Sequence, residues 1–397
     1  MGTSENQEIA VKNLENGQFS VLTAGAFPIY SPSGHIVYQT NVSEAGLWAL
    51  PFSIETLRPT GEAFRVAEGL ADPSLADDGT LVAVDFEDAR PRQLTWFDRA
   101  GRKMGMMGRP QQGMVHPALS PDARRVAVEF EQGGNLDIWV HDVDRSVSTR
   151  LTFDPGGDDS PVWSPSGKEI AFSSNRRGNQ DIFIRSVDGS SEETLLMSAP
   201  VLEFPLSWSA DGQILLYTLV APQTEWDIGY LQRDPQKGTF EAHVFLQTEF
   251  SETNRQLSPD GRFVAYDSND SGRNEIYVRP FPQGSGKWQV TANGGRQPLW
   301  RKDGAELFYV EGQTLMAVSV STVGEFAARS PKSLFRLPSV GSMGIAVAYQ
   351  YDVSADGRRF AVIADAEDEQ ANRPSVLIVQ NWYEEFRDRE QEYGMHP

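Results

Sequence analysis

The chain has 397 residues, with 35 Lys and Arg set against 55 Asp and Glu for a net charge of −20. That balance argues against a phosphate-binding surface, so nucleic acid is not expected as a partner. The absence of cysteine excludes disulfides, thiolate zinc sites, iron–sulfur clusters and a cysteine nucleophile, while 21 Phe, 11 Tyr and 9 Trp supply a packed core.

No stretch approaches the 18 apolar residues of a membrane span. The start, Met1 to Glu8, is polar and acidic and has neither the basic nor the apolar region of a signal peptide. The expectation is a chain that does not insert into a membrane, either cytoplasmic or cut from a longer protein.

One pattern then recurs along the whole length: Leu, Trp or another apolar residue, then Ser-Pro-Asp-Gly or a variant of it, then an apolar run. Its turns fall near residues 34, 79, 123, 167, 212, 261, 304 and 357, with Ala123 in place of the third Gly. The spacing runs from 43 to 53 residues, the period of a four-stranded propeller blade. Pro presets the first central turn residue, Asp caps its own turn, and Gly takes the positive φ that closes the hairpin. A third-strand signal follows 14 or 15 residues after four of the turns, beginning at Asp137, Asp181, Asp227 and Glu275. Repetition of these acids argues for a blade-building role, capping the loop before the third strand.

Eight such units nearly exhaust the chain. The expected fold is therefore all-β: an eight-bladed propeller of four-stranded antiparallel blades forming a single domain over 1–397. Near residues 351–353, 359–363 and 376–379 only three strands are visible. The strand at 18–23 is expected to complete that last blade and close the ring, which removes the exposed edge. Residues 382–397 read as a polar tail.

The Trp-Ser-Pro-Asp-Gly-type hairpins and Asp-Ile-Phe strands resemble TolB-type, WD-repeat-like propeller repeats. Arg150-Leu151-Thr152-Phe153-Asp154, Ile276 to Pro282, Gly286 to Val290, Gly304 to Tyr309 and Tyr351 to Ser354 are most similar to propeller regions downstream of bacterial serine/threonine kinase domains. The resemblance implies a sensor or interaction module of a signalling protein, in an extracytoplasmic or periplasmic setting. No Gly-rich loop, His-Arg-Asp or Asp-Phe-Gly of a kinase is present in this sequence.

Catalytic motifs are lacking: no Gly-x-Ser-x-Gly elbow, P-loop, dinucleotide fingerprint or His-Glu-x-x-His occurs. Asp154, Asp158 and Asp159 cluster in one Gly-rich loop whose hard oxygens would suit Ca²⁺, although EF-hand spacing is missing. The competing reading is a solvated connection, and no cofactor is otherwise called for. Departures from repeat symmetry point elsewhere. Positions six to eight residues before each turn lead into the first strand, which lines a propeller's channel. They include Phe27, Asp72, His116, Asp159, Ser160, Phe204, Asn254, Arg255, Arg296, Gln297, Tyr349 and Gln350. Mixed donors, acceptors and aromatics at one mouth suit a ligand or a partner's loop; the alternative is that they merely cap the channel. The reading is a non-catalytic, monomeric recognition module for a protein, glycan or small molecule. The alternative is a propeller enzyme, a polysaccharide lyase or lactonase with a metal-assisted site built from residues such as His116, Asp159, Arg255, Arg296 and Tyr349.

Overall fold

Each Ser-Pro-Asp-Gly segment makes the hairpin its chemistry dictates. In the turn at Ser258, the Ser258 carbonyl accepts from the Gly261 amide at 2.8 Å. The Ser258 hydroxyl donates to Asp260 at 2.6 Å, and Gly261 sits at φ 71°. Ala123 adopts φ 55° in the equivalent turn, a conformation that costs an L-residue about 1 kcal/mol. The apolar run after each turn forms a strand buried on both faces, as in Val126, Ala127 and Val128, all fully buried.

The computed structural model describes residues 8–14, 16–40, 46–68, 70–76, 78–85, 91–111, 113–132, 134–145, 147–221, 224–338, 349–366, 376–380 and 382–385. Among the described residues every regular element is a strand except one 3₁₀ turn, Trp382–Glu385. The chain divides into two compact units, one of residues 1–90 with 367–397 and one of residues 91–366.

The smaller unit holds the hairpins at 34 and 79. Strands Ala26–Ser31, His35–Thr40 and Gly46–Ser53 form one sheet with Arg58–Pro59 and Phe64–Glu68. Leu70–Leu75, Leu81–Asp85 and Val376–Val379 form another. Among the described residues, Glu8–Lys12 and Phe19–Ala24 pair with each other in a two-stranded sheet. Trp382, expected in a polar tail, is 1% exposed and packs against Val37, Leu47 and Leu81.

The larger unit holds the other six hairpins in six antiparallel sheets. Five are built from consecutive strands, starting at Val115–Leu119, Asp158–Trp163, Leu202–Trp208, Glu252–Leu257 and Arg296–Trp300. The sixth joins Tyr351–Val353 and Arg359–Asp365 to Arg92–Asp98 and Lys103–Gln111. The ring closes between sixth and first sheets, where the Leu119 amide donates to Asp352 at 2.6 Å. On its other side Tyr351 donates its hydroxyl to the Gln297 carbonyl at 2.8 Å.

Among the described residues, this pairing corrects the expected closure by the N-terminal strand. Residues 18–23 do not complete the last blade. The two outer strands following the hairpin at 79 complete the sheet of the hairpin at 357, and Val376–Val379 completes the sheet of the hairpin at 79. The repeat pattern locates hairpins, but an antiparallel outer strand can pair with any matching apolar edge. Phe97 decides the match: it stacks on Phe335 at 5.6 Å within a cluster of Phe308, Tyr351 and Phe360, all fully buried. Arg99 then pins the closing hairpin, reaching Glu306 with two nitrogens at 3.0 Å and the Gly357 carbonyl at 2.9 Å.

A fragment of residues 91–366 is expected to unfold in one cooperative transition, whereas 113–366, stripped of the closing strands, is expected to aggregate. Within the full chain, Phe360→Ala should cost about 3–5 kcal/mol in denaturant unfolding. Arg99→Ala, at a partly exposed ion pair, should cost about 1 kcal/mol.

Candidate functional site: the channel of the six-sheet unit

The first strand of the first, second, fourth and fifth sheets carries a β-bulge just before its run into the ring. The pairing shifts between Val115 and Ala118, Asp159 and Val162, Thr253 and Gln256, and Arg296 and Leu299. The residue seven positions before each turn takes a left-handed backbone there: His116 at φ 51°, Ser160 at 55°, Asn254 at 47° and Gln297 at 58°. Such conformations cost about 1–3 kcal/mol each in non-glycine residues and need support from their surroundings. Carboxylates from neighbouring sheets supply it. Glu129 accepts from the Ser160 amide at 2.6 Å and Asp267 from the Gln297 amide at 3.4 Å. The bulges aim side chains at the rim of the channel, a use for which bulges are well suited.

The channel encloses about 390 Å³. Its wall carries a set of large aromatics, with Trp163, Phe204, Trp208, Trp226, Trp300 and Tyr351 contributed by four sheets. Inter-sheet bonds line its length. The Trp163 indole donates to the Ala118 carbonyl at 2.9 Å and the Trp300 indole to the Gln256 carbonyl at 3.2 Å. The Leu257 amide donates to Ser207 at 3.1 Å.

Two polar centres sit at the rim. In the first, His116 Nδ1 lies 2.8 Å from Glu129 Oε1, with Glu129 fully buried. Asp159 accepts from Gln180 at 3.0 Å. Burial and the Glu129 charge push the Asp159 carboxyl up to about 8, against the opposing pull of His116. In the second, fully buried Asp267 accepts from Thr253 at 2.7 Å and Asn254 at 3.4 Å. Burial raises it to about 7. Arg255, 1% exposed, donates to the Thr218 hydroxyl and to the carbonyls of Glu252 and Asp227. Burial lowers its guanidinium to about 10, which leaves it charged at neutral pH. Burial also raises the Tyr349 phenol well above its ordinary value.

Of the residues selected from sequence, His116, Ser160, Phe204, Arg255 and Tyr349 line the channel. Asn254 and Gln297 set the bulges from behind, Asp159 joins the first polar centre, Gln350 donates its amide to Gln297 at 3.3 Å, and Arg296 is exposed outside the lining. Phe27 lies in the smaller unit at φ 52°, as does Asp72. Glu129 and Asp267 were missed. Their signal is an acid six residues after the turn, inside an otherwise apolar second strand, where the next two repeats carry Val310 and Ile363. Asp154, Asp158 and Asp159 do not converge. Arg176 holds Asp158 at 2.9 Å and lies 3.9 Å from Asp154, and the alternation of the strand sends Asp159 the other way. Among the described residues no three His, Asp or Glu side chains gather as a metal site.

Residues 63–241 match the family described as TolB beta propeller domain. The chain is similar to the putative TolB from Agrobacterium tumefaciens, with 18% identity and a TM-score of 0.54 over 70% of this chain and 99% of that one. It is also similar to TolB from Acinetobacter baumannii, with 15% identity and a TM-score of 0.42 over 76% and 80%. An oligogalacturonate lyase in complex with manganese shows 14% identity and a TM-score of 0.45 over 79% and 82%. No curated protein sequence matches.

Because Asp267 is raised to about 7, the folded chain holds a proton between about pH 4 and 7 that the unfolded chain releases. Its contribution to stability is fully present below about pH 4 and is lost as pH rises through 7. Urea unfolding at pH 5, 6, 7 and 8 should show wild-type stability falling relative to Asp267→Asn. A difference that stays flat over this range would refute the assignment.

Proposed function

Taking the chain as a TolB-like β-propeller, we propose that it is a recognition module binding a protein segment or small ligand at the channel mouth of its six-sheet unit. The observation that carries this reading is the rim itself. Four sheets hold a polar residue in a strained left-handed conformation, beside a mainly apolar channel of about 390 Å³ that carries several aromatics. Strain kept at matching positions, next to a concave apolar site with a few convergent polar groups, is the usual arrangement of a binding site. The repeats resemble those of kinase-associated propellers, which supports a place in a bacterial signalling protein outside the cytoplasm.

A second reading, catalysis at the same mouth, is favoured by one observation. A carboxyl raised to about 8 at Asp159 stands beside the His116–Glu129 pair, a combination suited to general acid–base work.

Trp163, Trp208, Trp226 and Trp300 line the channel, so occupancy should change tryptophan fluorescence. Peptides and oligosaccharides screened this way should yield a saturable binder. Phe204→Ala should weaken it tenfold or more, equivalent to about 1.4 kcal/mol, with the unfolding midpoint kept. Arg255→Ala and His116→Ala are unsuitable, since each strands buried partners. Turnover of uronate oligomers or lactones that disappears in Asp159→Asn would overturn the binding reading in favour of the catalytic one.

A further inference from the structure

At four junctions between neighbouring sheets, an acid at the beginning of a third strand, Asp137, Asp181, Asp227 or Glu275, comes close to the start of the next sheet's first strand. Three junctions are neutralised. Asp137 meets Arg150 at 2.6 Å and Asp158 meets Arg176 at 2.9 Å. Asp227 accepts from Thr224 at 2.5 Å and Gln247 at 2.9 Å, and Glu252 accepts from Thr248 at 2.6 Å with Arg255 nearby. Glu275 meets Arg273 at 2.7 Å and the Gly294 amide at 3.0 Å, and faces Gly295 instead of a second acid.

The junction between the second and third sheets differs. Asp181 is 1% exposed and Glu203 fully buried; none of their four carboxylate oxygens has a well-formed hydrogen bond, the backbone of Ala199 being the one donor close to Glu203. The Glu203 amide donates to the Gln180 carbonyl at 2.9 Å, which holds Glu203 beside Asp181. The charge of Asp181 adds to burial in raising Glu203. Arg177, its side chain 54% exposed, comes no closer than 3.6 Å to Asp181. The hydroxyl that serves Asp137 and Glu275 comes from Thr152 and Thr291. Ser198 stands at that place, one residue beyond the partner of Ile182, and is exposed.

With only a long contact to exposed Arg177 and the Ala199 backbone to serve them, two buried carboxylates demand further compensation, because an under-compensated buried charge costs several kcal/mol. A shared proton satisfies two of the four oxygens and leaves one charge. A divalent cation neutralises both charges and engages all four oxygens. Hard oxygen donors without nitrogen or sulfur select Ca²⁺ over transition metals, with carbonyls and water completing the shell.

We propose that Asp181 and Glu203 form a Ca²⁺ site that ties the second sheet to the third. Glu203 immediately precedes Phe204 of the channel wall, so the ion anchors the start of that inner strand. The site stands independently of whether the channel binds a ligand.

The test is calcium titration of the full chain after EDTA treatment, followed by calorimetry and thermal unfolding. Wild type should bind one Ca²⁺ at this site and gain about 2–4 °C or more in Tm at saturating ion. Glu203→Gln and Asp181→Asn should each abolish both signals. In EDTA each variant should melt at or above wild type, since each removes a repelling charge, and this also shows that it folds. Absence of calcium binding by wild type, or an identical calcium response in wild type and both variants, overturns the proposal. Stability that responds to pH alone assigns the pair a shared proton and likewise overturns it.

Discussion

The pairing of Arg92–Asp98 with Arg359–Asp365 is the constraint on which the larger unit rests. Seven residue pairs run in unbroken register from Arg92 opposite Asp365 to Asp98 opposite Arg359. This places Phe97 among Phe308, Phe335 and Phe360. With that strand in place the sixth sheet has its full width, and Asp352 can meet the Leu119 amide across the seam. Without it an apolar sheet edge would lie open, the circumstance that closed rings avoid.

Closure turns six similar strands toward one axis, and there the repeats stop being equivalent. Burial makes carboxylates expensive unless they are bonded. Glu129 and Asp267 meet that requirement by accepting backbone amides from the strained bulges of the next sheet. Acid and strain thus support each other: the bulge supplies a donor that a regular strand would have used in its ladder, and the acid holds the bulge. Arg255 does similar service inside the rim, bonding two carbonyls and a hydroxyl.

The all-β class, the eight hairpins and the rim positions seven residues before each turn were legible in the sequence because turn chemistry is local. Pro, Asp and Gly declare themselves within four residues, and His116, Ser160, Asn254 and Gln297 could be counted back from them. Strand exchange was not legible, since the partner of Thr95 is Val362, and only tertiary packing of Phe97 selects it. Glu129 and Asp267 escaped notice because an acid in a strand reads as a surface residue until the ring places it inside. Arg255 could be chosen by position, but its role as a buried hydrogen-bond hub, and not an exposed contact, emerges only from burial.

The exchanged strands also set an order of events during synthesis. Residues 92–111 leave the ribosome roughly 250 residues before their partners at 351–365. At about 5–20 residues per second, they wait on the order of ten seconds or more. Through that interval the five sheets in between can form one after another from local hairpins, while the Thr95-Trp96-Phe97 segment remains an unmatched sticky edge. The polar termini of the hairpin, Arg92 and Asp98 on one strand and exposed Lys103 on the other, act in the meantime as gatekeepers against pairing with the wrong chain.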